Sequence, residues 1–119
     1  MHEFGITENL LRTVEEEAKR YNAVSIHEIR ITMGELNAFI PECIQEYFAL
    51  MSEGTVAEGA GLVFNILPAE LECRDCNKKF KMEYNRLKCK YCHGINVNII
   101  SGKEFYVESL DIETDEDEC

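Results

Sequence analysis

The sequence predicts an α+β fold, with a small mixed sheet of about three strands covered by two helices and an inserted four-cysteine, zinc-ribbon-like module. Two stretches repeat apolar residues at helical spacing, and three others alternate as β-strands do. Two C-x-x-C pairs, Cys73–Cys76 and Cys89–Cys92, are separated by twelve residues. The 119 residues, of which 45% are hydrophobic, suffice for one modest core with a small satellite.

The first helix is predicted over residues 4–21, where apolar side chains recur at spacings of three and four. The charged residues, including the run 15–17, fall largely on the other side and form a solvated face. Gly5 and Thr7 weaken the first turn, and Asn22 favours a stop. These residues predict one amphipathic helix that packs on the sheet.

The first strand is predicted over residues 25–33 because polar and apolar residues alternate there. His27, Ile29, Ile31 and Met33 share the apolar face, whereas Glu28, Arg30 and Thr32 share the solvated face. His27 is therefore expected to be a core or half-buried histidine rather than a metal ligand. Gly34 ends the strand.

The second helix is predicted to begin at Pro41, a favoured first helical residue, and to run to Gly54. Its core stripe includes Cys43, interpreted as a small buried hydrophobe. A second strand is predicted over residues 62–67 and a third over 104–112. The alternation of the third strand shifts by one residue, which predicts a β-bulge near Glu108 and Ser109.

The domains predicted from this order are an α/β domain (residues 1–68 plus 103–112), a zinc-binding module (69–102) and an acidic disordered tail (113–119). The tail ends at Cys119, a terminal thiol able to scavenge metal or form an adventitious dimer. No apolar run approaches the length of a membrane span, so no membrane partner is expected.

The two C-x-x-C pairs predict a closed tetrahedral zinc site, because each short turn brings two thiolates onto one metal. The ligands would be Cys73, Cys76, Cys89 and Cys92, with the intervening residues forming a small hairpin. Four thiolates leave no open coordination position, so the zinc is expected to be structural. Leu71, Phe80, Leu87 and residues 95–99 supply the strand-like apolar positions around it.

The alternatives to a zinc site are two disulfides or a redox pair. Disulfides require an oxidising compartment, yet the N-terminal sequence has no basic region followed by an apolar one. The expected location is therefore the cytoplasm, where paired C-x-x-C motifs are typically metallated. A nucleophile with its base, or paired catalytic carboxylates, cannot be argued from the sequence, which predicts no enzyme and no catalytic residue.

Charge is unevenly distributed along the chain, whose formal net charge is -11. Residues 71–100 hold seven of the twelve Lys and Arg against three acidic residues, a local charge of +4. A zinc-ribbon adaptor or nucleic-acid-binding module is therefore the alternative function. The overall acidity argues against a nucleic-acid partner, and the basic patch could equally dock an acidic protein.

The N-terminal residues Met1, His2 and Glu3 offer a second, weaker metal motif. The α-amino group, the amide nitrogen of His2 and its imidazole can form fused chelate rings, a planar nitrogen-rich set that favours Ni²⁺ or Cu²⁺ over Zn²⁺. A fourth in-plane position remains open for the Glu3 amide or carboxylate, another histidine or a partner's ligand. The alternative is a frayed terminus.

The whole pattern resembles the HypA/HybF family of hydrogenase nickel-incorporation proteins. The resemblance is carried by Met1-His2-Glu3, by residues 29–36 (IRITMGEL), by the two cysteine pairs with Leu71-Glu72 before the first, and by Gly102-x-Glu104 with Ser109-Leu110. It covers residues 1 to about 112 and leaves out only the acidic tail.

This resemblance implies a cytoplasmic metallochaperone that carries Ni²⁺ as cargo and holds a structural Zn²⁺. It implies that His2 is the indispensable nickel ligand, with the Met1 amine and the backbone or side chain of Glu3 beside it. The implied partners are a HypB-like GTPase, the large subunit of [NiFe] hydrogenase and, in some bacteria, urease accessory proteins. The sequence leaves homodimerisation open.

His93, directly after Cys92, is a further candidate. It could fill the open nickel position or exchange onto zinc, since imidazole titrates near neutral pH. The alternative, a solvent-facing histidine in the turn before Gly94, is the favoured expectation.

Overall fold

The computed structural model describes residues 2–84 and 86–115, and for His2 only the backbone. It contains two helices and six strands in the order α1 (His2–Arg20), β1 (Ala23–Gly34), α2 (Pro41–Met51), β2 (Gly61–Leu67), β3 (Glu70–Cys73), β4 (Lys79–Lys81), β5 (Val97–Ser101) and β6 (Phe105–Thr114). The strands form two three-stranded sheets, ordered β2-β1-β6 and β4-β3-β5. The α+β prediction and its three-stranded sheet are confirmed.

The chain divides into two compact units. The first contains the residues up to Ile31, Ala38–Phe64 and the residues from Val107 onward. Both helices and β1 bury apolar side chains in it. Its buried apolar residues are Leu10, Val14, Ala18, Ile26, Ile29, Ile31, Ile44, Phe48 and Ala57.

Helix α1 begins two residues earlier than predicted, at His2, despite Gly5. Contacts of its first turn explain the early start: Thr7 Oγ1 donates to the carbonyl of Glu3, and Phe4 makes an edge-on contact with Tyr47 of α2 at 5.5 Å between ring centroids. Asn22 follows the helix with a left-handed backbone at φ 56°, a conformation that asparagine tolerates. The predicted stop at Asn22 is confirmed.

The face assignment of β1 is wrong at two positions. His27 is exposed and its Nε2 lies 3.0 Å from Glu113 Oε1, whereas Ile26 is buried. The alternation of buried and exposed residues shifts by one position between Ile26 and Ile29. Counting every second residue back from Ile29 therefore places His27, rather than Ile26, on the buried face. Thr32, expected in solvent, is also buried.

Cys43 lies on α2 as predicted but is only partly buried. The alternation of partly buried and exposed residues in β6 shifts by one position between Ser109 and Leu110, next to the β-bulge predicted near Glu108 and Ser109. This strand continues to Thr114, so the first two residues of the predicted acidic tail are strand residues. The rest of that tail beyond Asp115, with Cys119, lies outside the described residues.

The second unit contains Thr32–Asn37 and Asn65–Tyr106. In its sheet, β3 pairs antiparallel with β4 and with β5. The predicted hairpin between the two cysteine pairs is wrong, because the hairpin β3–β4 instead spans the first pair. Its small core consists of Ala69, Leu71, Cys73, Phe80, Met82 and Cys89.

Two of the residues predicted to be strand-like apolar positions lie outside the strands and are exposed. Leu87 is 49% exposed and Ile95 is 83% exposed. Within the part of the chain that the structure describes, no helix is long and apolar enough to cross a bilayer.

Candidate metal centre

Four cysteine sulfurs meet in the second unit, with their Sγ atoms all within 4.8 Å of one another. Cys73 ends β3 and Cys76 lies in the turn toward β4, while Cys89 and Cys92 belong to the irregular segment before β5. Cys73 and Cys89 are buried, Cys76 is partly buried and Cys92 is exposed. The predicted convergence of the two pairs on one zinc-ribbon-like site is confirmed.

The two pairs are built as the same turn. In the first, the N–H of Asn77 donates to the Cys73 carbonyl at 2.8 Å; in the second, the N–H of His93 donates to the Cys89 carbonyl at 2.9 Å. Asn77 and His93 have φ of 61° and 63°. Asparagine and histidine are both enriched in this left-handed region, which lets the chain reverse immediately after the second sulfur.

The sulfurs are not disulfide-bonded. Cys73 Sγ lies 3.6 Å from Cys92 Sγ, and Cys76 Sγ lies 3.6 Å from Cys89 Sγ, whereas a disulfide requires about 2.05 Å. All the described cysteines are free. The close pairs join one turn to the other, as a single metal held between them requires.

The electrostatics of the sulfurs also fit a cation. Burial raises the pKa of the Cys89 thiol, but the N–H groups of Cys92 and Tyr91 donate to its sulfur and lower that pKa to about 6. The Gly94 N–H lowers the pKa of Cys92, yet the sulfurs of Cys73 and Cys89 outweigh it and raise the pKa to about 12. A thiolate at one sulfur therefore disfavours ionisation of the next, and a bound divalent cation would stabilise the four thiolates together by offsetting part of their charge.

The N-terminal segment is held by its third residue. Glu3 is buried, and its Oε2 accepts a hydrogen bond from the N–H of Ile40 at 3.0 Å. Its own backbone N–H and that of Ile40 lower the pKa of the Glu3 carboxyl. Ile40 is the N-cap of α2 and has no polar side chain, so a carboxylate from the other helix supplies the negative charge that a helix start favours.

This role of Glu3 was missed from the sequence. The only signal was an apolar residue, Ile40, immediately before Pro41, which leaves the start of α2 without a cap of its own. The Glu3 side chain is thereby committed to a structural contact.

Among the side chains that the structure describes, no histidine belongs to the cysteine cluster. His27 is exposed beside Glu113, and His93 is exposed with no ligating sulfur or carboxylate set of its own among the described residues. His2 begins α1 in the first unit, whereas His93 belongs to the second. The Met1 amine, predicted beside His2, lies outside the described residues.

Comparison with known proteins points to one family. The model of the family described as "Hydrogenase/urease nickel incorporation, metallochaperone, hypA" matches residues 1–112. Curated proteins named hydrogenase maturation factor HypA are similar throughout. The one from Dehalococcoides mccartyi is 35% identical over 95% of both chains. The one from Caldanaerobacter subterraneus is 38% identical over 95% of this chain and 100% of its own.

Solved structures agree. The solution structure of the Ni metallochaperone HypA from Helicobacter pylori matches with a TM-score of 0.68 at 30% identity, over 95% of this chain and 98% of that one. A solution structure of a HypA protein matches with a TM-score of 0.69 at 32% identity, over 94% and 96% of the two chains.

Proposed function

The chain belongs to the HypA family of hydrogenase and urease nickel-incorporation metallochaperones, and we propose that it binds Ni²⁺ at its N-terminus and delivers it during maturation of [NiFe] hydrogenase. Urease is a second candidate client, since the family description names it. The cargo would be handed over by the protein rather than used by it, and the chain would act in the cytoplasm without catalysing a reaction.

The observation that carries the proposal is that the family match begins at residue 1 and so includes Met1, His2 and Glu3. These residues offer an amine, amide nitrogens and an imidazole, a nitrogen set whose planar geometry suits Ni²⁺. His2 would be the principal ligand. The Met1 amine and the amide nitrogen of His2 would accompany it, with Glu3 beside the open fourth position.

The backbone at this end of α1 supports amide ligation. Helix α1 begins at His2, and the first amide groups of a helix have no carbonyl partner within it. An amide nitrogen must lose its proton to bind Ni²⁺, and the positive end of the helix dipole favours that loss. The buried Glu3 carboxylate and the contact of Phe4 with Tyr47 hold this first turn against α2.

For the cysteine centre we assign Zn²⁺ with a structural role. Cys73, Cys76, Cys89 and Cys92 provide four sulfur donors, the set that closed zinc sites use. The metal would stabilise the second unit. Two metals would then occupy sites of different donor chemistry in one chain, zinc on sulfur and nickel on nitrogen.

Transfer of the cargo would use the incomplete N-terminal site. Three nitrogen donors leave one in-plane position open, and a ligand from the recipient can enter there before the chain's own ligands leave. A HypB-like GTPase is the proposed partner on one side of this exchange. The large subunit of [NiFe] hydrogenase is the proposed recipient on the other.

The test is a calorimetric Ni²⁺ titration of zinc-loaded, untagged protein, with visible d–d spectra recorded in parallel. His2→Ala removes the proposed ligand. His27→Gln and His93→Asn are the matched controls, since the chain has only three histidines. Asn suits position 93 because Asn77 has the same left-handed backbone in the first turn.

The expected result is one Ni²⁺ per chain with a planar nitrogen-type spectrum, lost in His2→Ala and kept in both controls. Loss in His93→Asn alone would move the site to the second unit and contradict the proposal. Equal binding in all three variants would favour the zinc-ribbon adaptor.

A further inference from the structure

The surface of the second unit carries a cationic cleft next to the cysteine centre. The cleft has a volume of about 220 Å³, and Arg86, Lys88, Lys90 and His93 line it together with Phe80 and Tyr84. One acidic residue, Glu83, also lines it, and its carboxylate lies 3.6 Å from Lys90 Nζ. Three positively charged side chains therefore share the cleft with one carboxylate and with the sulfur of Cys89, which belongs to the cysteine centre.

Two of the cations that line the cleft, Arg86 and Lys90, lie over aromatic rings. The Cζ atom of Arg86 lies 5.9 Å from the centroid of the Tyr84 ring. The Nζ atoms of Lys90 and Lys78 lie 5.4 Å and 4.7 Å from the centroid of the Tyr91 ring. Tyr91 in turn makes an edge-on contact with Phe80 at 6.1 Å. Charges arranged in this way before a ligand arrives lose less side-chain entropy when it binds.

Exposed apolar residues accompany the cleft. Tyr84, Leu87 and Ile95 are 86%, 49% and 83% exposed. In the sequence, Leu87 stands between Arg86 and Lys88, and Ile95 follows His93 by two residues. The core of this unit uses none of them. Leu87 and Ile95 do not line the cleft but are close in sequence to the residues that do. Arginine, tyrosine and exposed apolar groups are features of protein interfaces.

From these features we infer that the cleft is a docking site for an acidic segment of a partner protein. Carboxylates of the segment pair with Arg86, Lys88 and Lys90, and its apolar side chains cover Leu87 and Ile95. The cleft is smaller than the roughly 300–1,000 Å³ of small-molecule pockets, which suits side chains better than a whole metabolite. This site needs no nickel and is independent of the N-terminal proposal.

Charge decides between an acidic peptide and a nucleic acid. The chain carries a net charge of -11, with a local excess of +4 over residues 71–100 that falls to about +2 when four thiolates hold Zn²⁺. A polyphosphate backbone extends beyond so small a positive region and meets the acidic remainder, whereas a short peptide segment does not. The peptide is therefore the better match to the size of the patch.

The test measures fluorescence anisotropy of a labelled Glu- and Asp-rich peptide that contains leucine, titrated with the full zinc-loaded chain. The cleft variant is Arg86→Gln/Lys88→Gln/Lys90→Gln. The matched control is Lys79→Gln/Lys81→Gln/Lys103→Gln, which removes the same charge at three exposed positions that do not line the cleft. Metal content and circular dichroism establish that both variants fold.

The cleft variant is expected to bind about tenfold more weakly or worse, and the control within about twofold of wild type. Amide shifts in NMR spectra should concentrate around Tyr84 and in residues 86–95, and affinity should fall with added salt. Equal weakening in both variants would reduce the effect to general charge and overturn the site. So would equal binding of a Gln and Asn version of the peptide, displacement by oligothymidylate, or no binding by wild type.

Discussion

Removing the metal from the cysteine centre should unfold the second unit while the first unit stays folded. The perturbation is a chelator with high affinity for zinc, added to the wild-type chain under reducing conditions. The two units have separate cores, so loss of one core need not remove the other.

The core of the second unit contains three large apolar side chains, Leu71, Phe80 and Met82, which are 0%, 7% and 8% exposed. Burying each contributes roughly 2 kcal/mol, or about 6 kcal/mol together. A structural zinc in a small module contributes about 10–16 kcal/mol at neutral pH. The metal is therefore the larger stabilising term, and the remaining core is too small to hold the module alone.

The assay is hydrogen–deuterium exchange read by mass spectrometry, before and after chelation, with released metal counted by a colour indicator. Peptides from β3, β4 and β5 should lose their protection, whereas those from α1 and α2 should keep theirs. Cys89→Ser should reproduce this pattern without chelator. Cys43→Ser, which alters a cysteine of α2 outside the cluster, is the matched control and should retain metal and protection.

Retained protection in β3 after full release of the metal would refute the reasoning, because the core would then suffice without it. Loss of protection in α1 and α2 together with β3 would refute it differently, by showing that the chain unfolds as one cooperative unit.

Two further predictions concern stability. Gly34→Ala should lower the free energy of unfolding by about 3 kcal/mol or more, because the added Cβ would lie 2.1 Å from the backbone carbonyl of Gly102. Gly5→Ala should raise it by about 0.5–1 kcal/mol, because the added Cβ meets nothing within 4 Å in a helix. Urea unfolding midpoints of the two variants test both expectations. The lowered pKa of Glu3 adds stability that is present above the ordinary carboxyl pKa of 4.5 and is lost as the pH falls through the lowered value. Glu3→Gln should therefore flatten the acid limb of a stability–pH curve, Glu8→Gln at an exposed position of α1 should not, and an unchanged acid limb in Glu3→Gln would contradict the assignment.

The features predicted correctly are those that neighbouring residues determine. A C-x-x-C turn places two sulfurs by local backbone geometry, and the stripe Leu10, Val14 and Ala18 marks a buried helix face by spacing alone. The stop at Asn22 depends on one residue that tolerates a left-handed backbone. In each case the sequence within a few positions contains the whole physical cause.

The features that failed depend on residues far apart in the chain. Glu3 is fixed by the N–H of Ile40, which is 37 positions away, and His27 meets Glu113 across two strands. The one-residue shift between Ile26 and Ile29 places His27 on the exposed face. The alternation of polar and apolar residues in the sequence does not indicate this shift. Leu87 and Ile95 fit a strand pattern because they are apolar, but they lie in irregular segments and contribute nothing to the small core.

The two proposed metal sites separate zinc from nickel by geometry more than by affinity. Zn²⁺ has no preference from its d electrons and accepts the tetrahedral thiolate cage, which Asn77 and His93 shape through their left-handed turns. Ni²⁺ gains from a planar nitrogen set, which a cage of converging sulfurs does not offer. Keeping the thiolates in one unit and the nitrogen donors in the other lets the first metal stay in place while the second is exchanged. A site that gives up its metal is therefore expected to be open and to lie at a chain end, as the N-terminal nitrogen donors do. A site that keeps its metal is expected to be closed and to be formed by paired turns, as the four cysteines are.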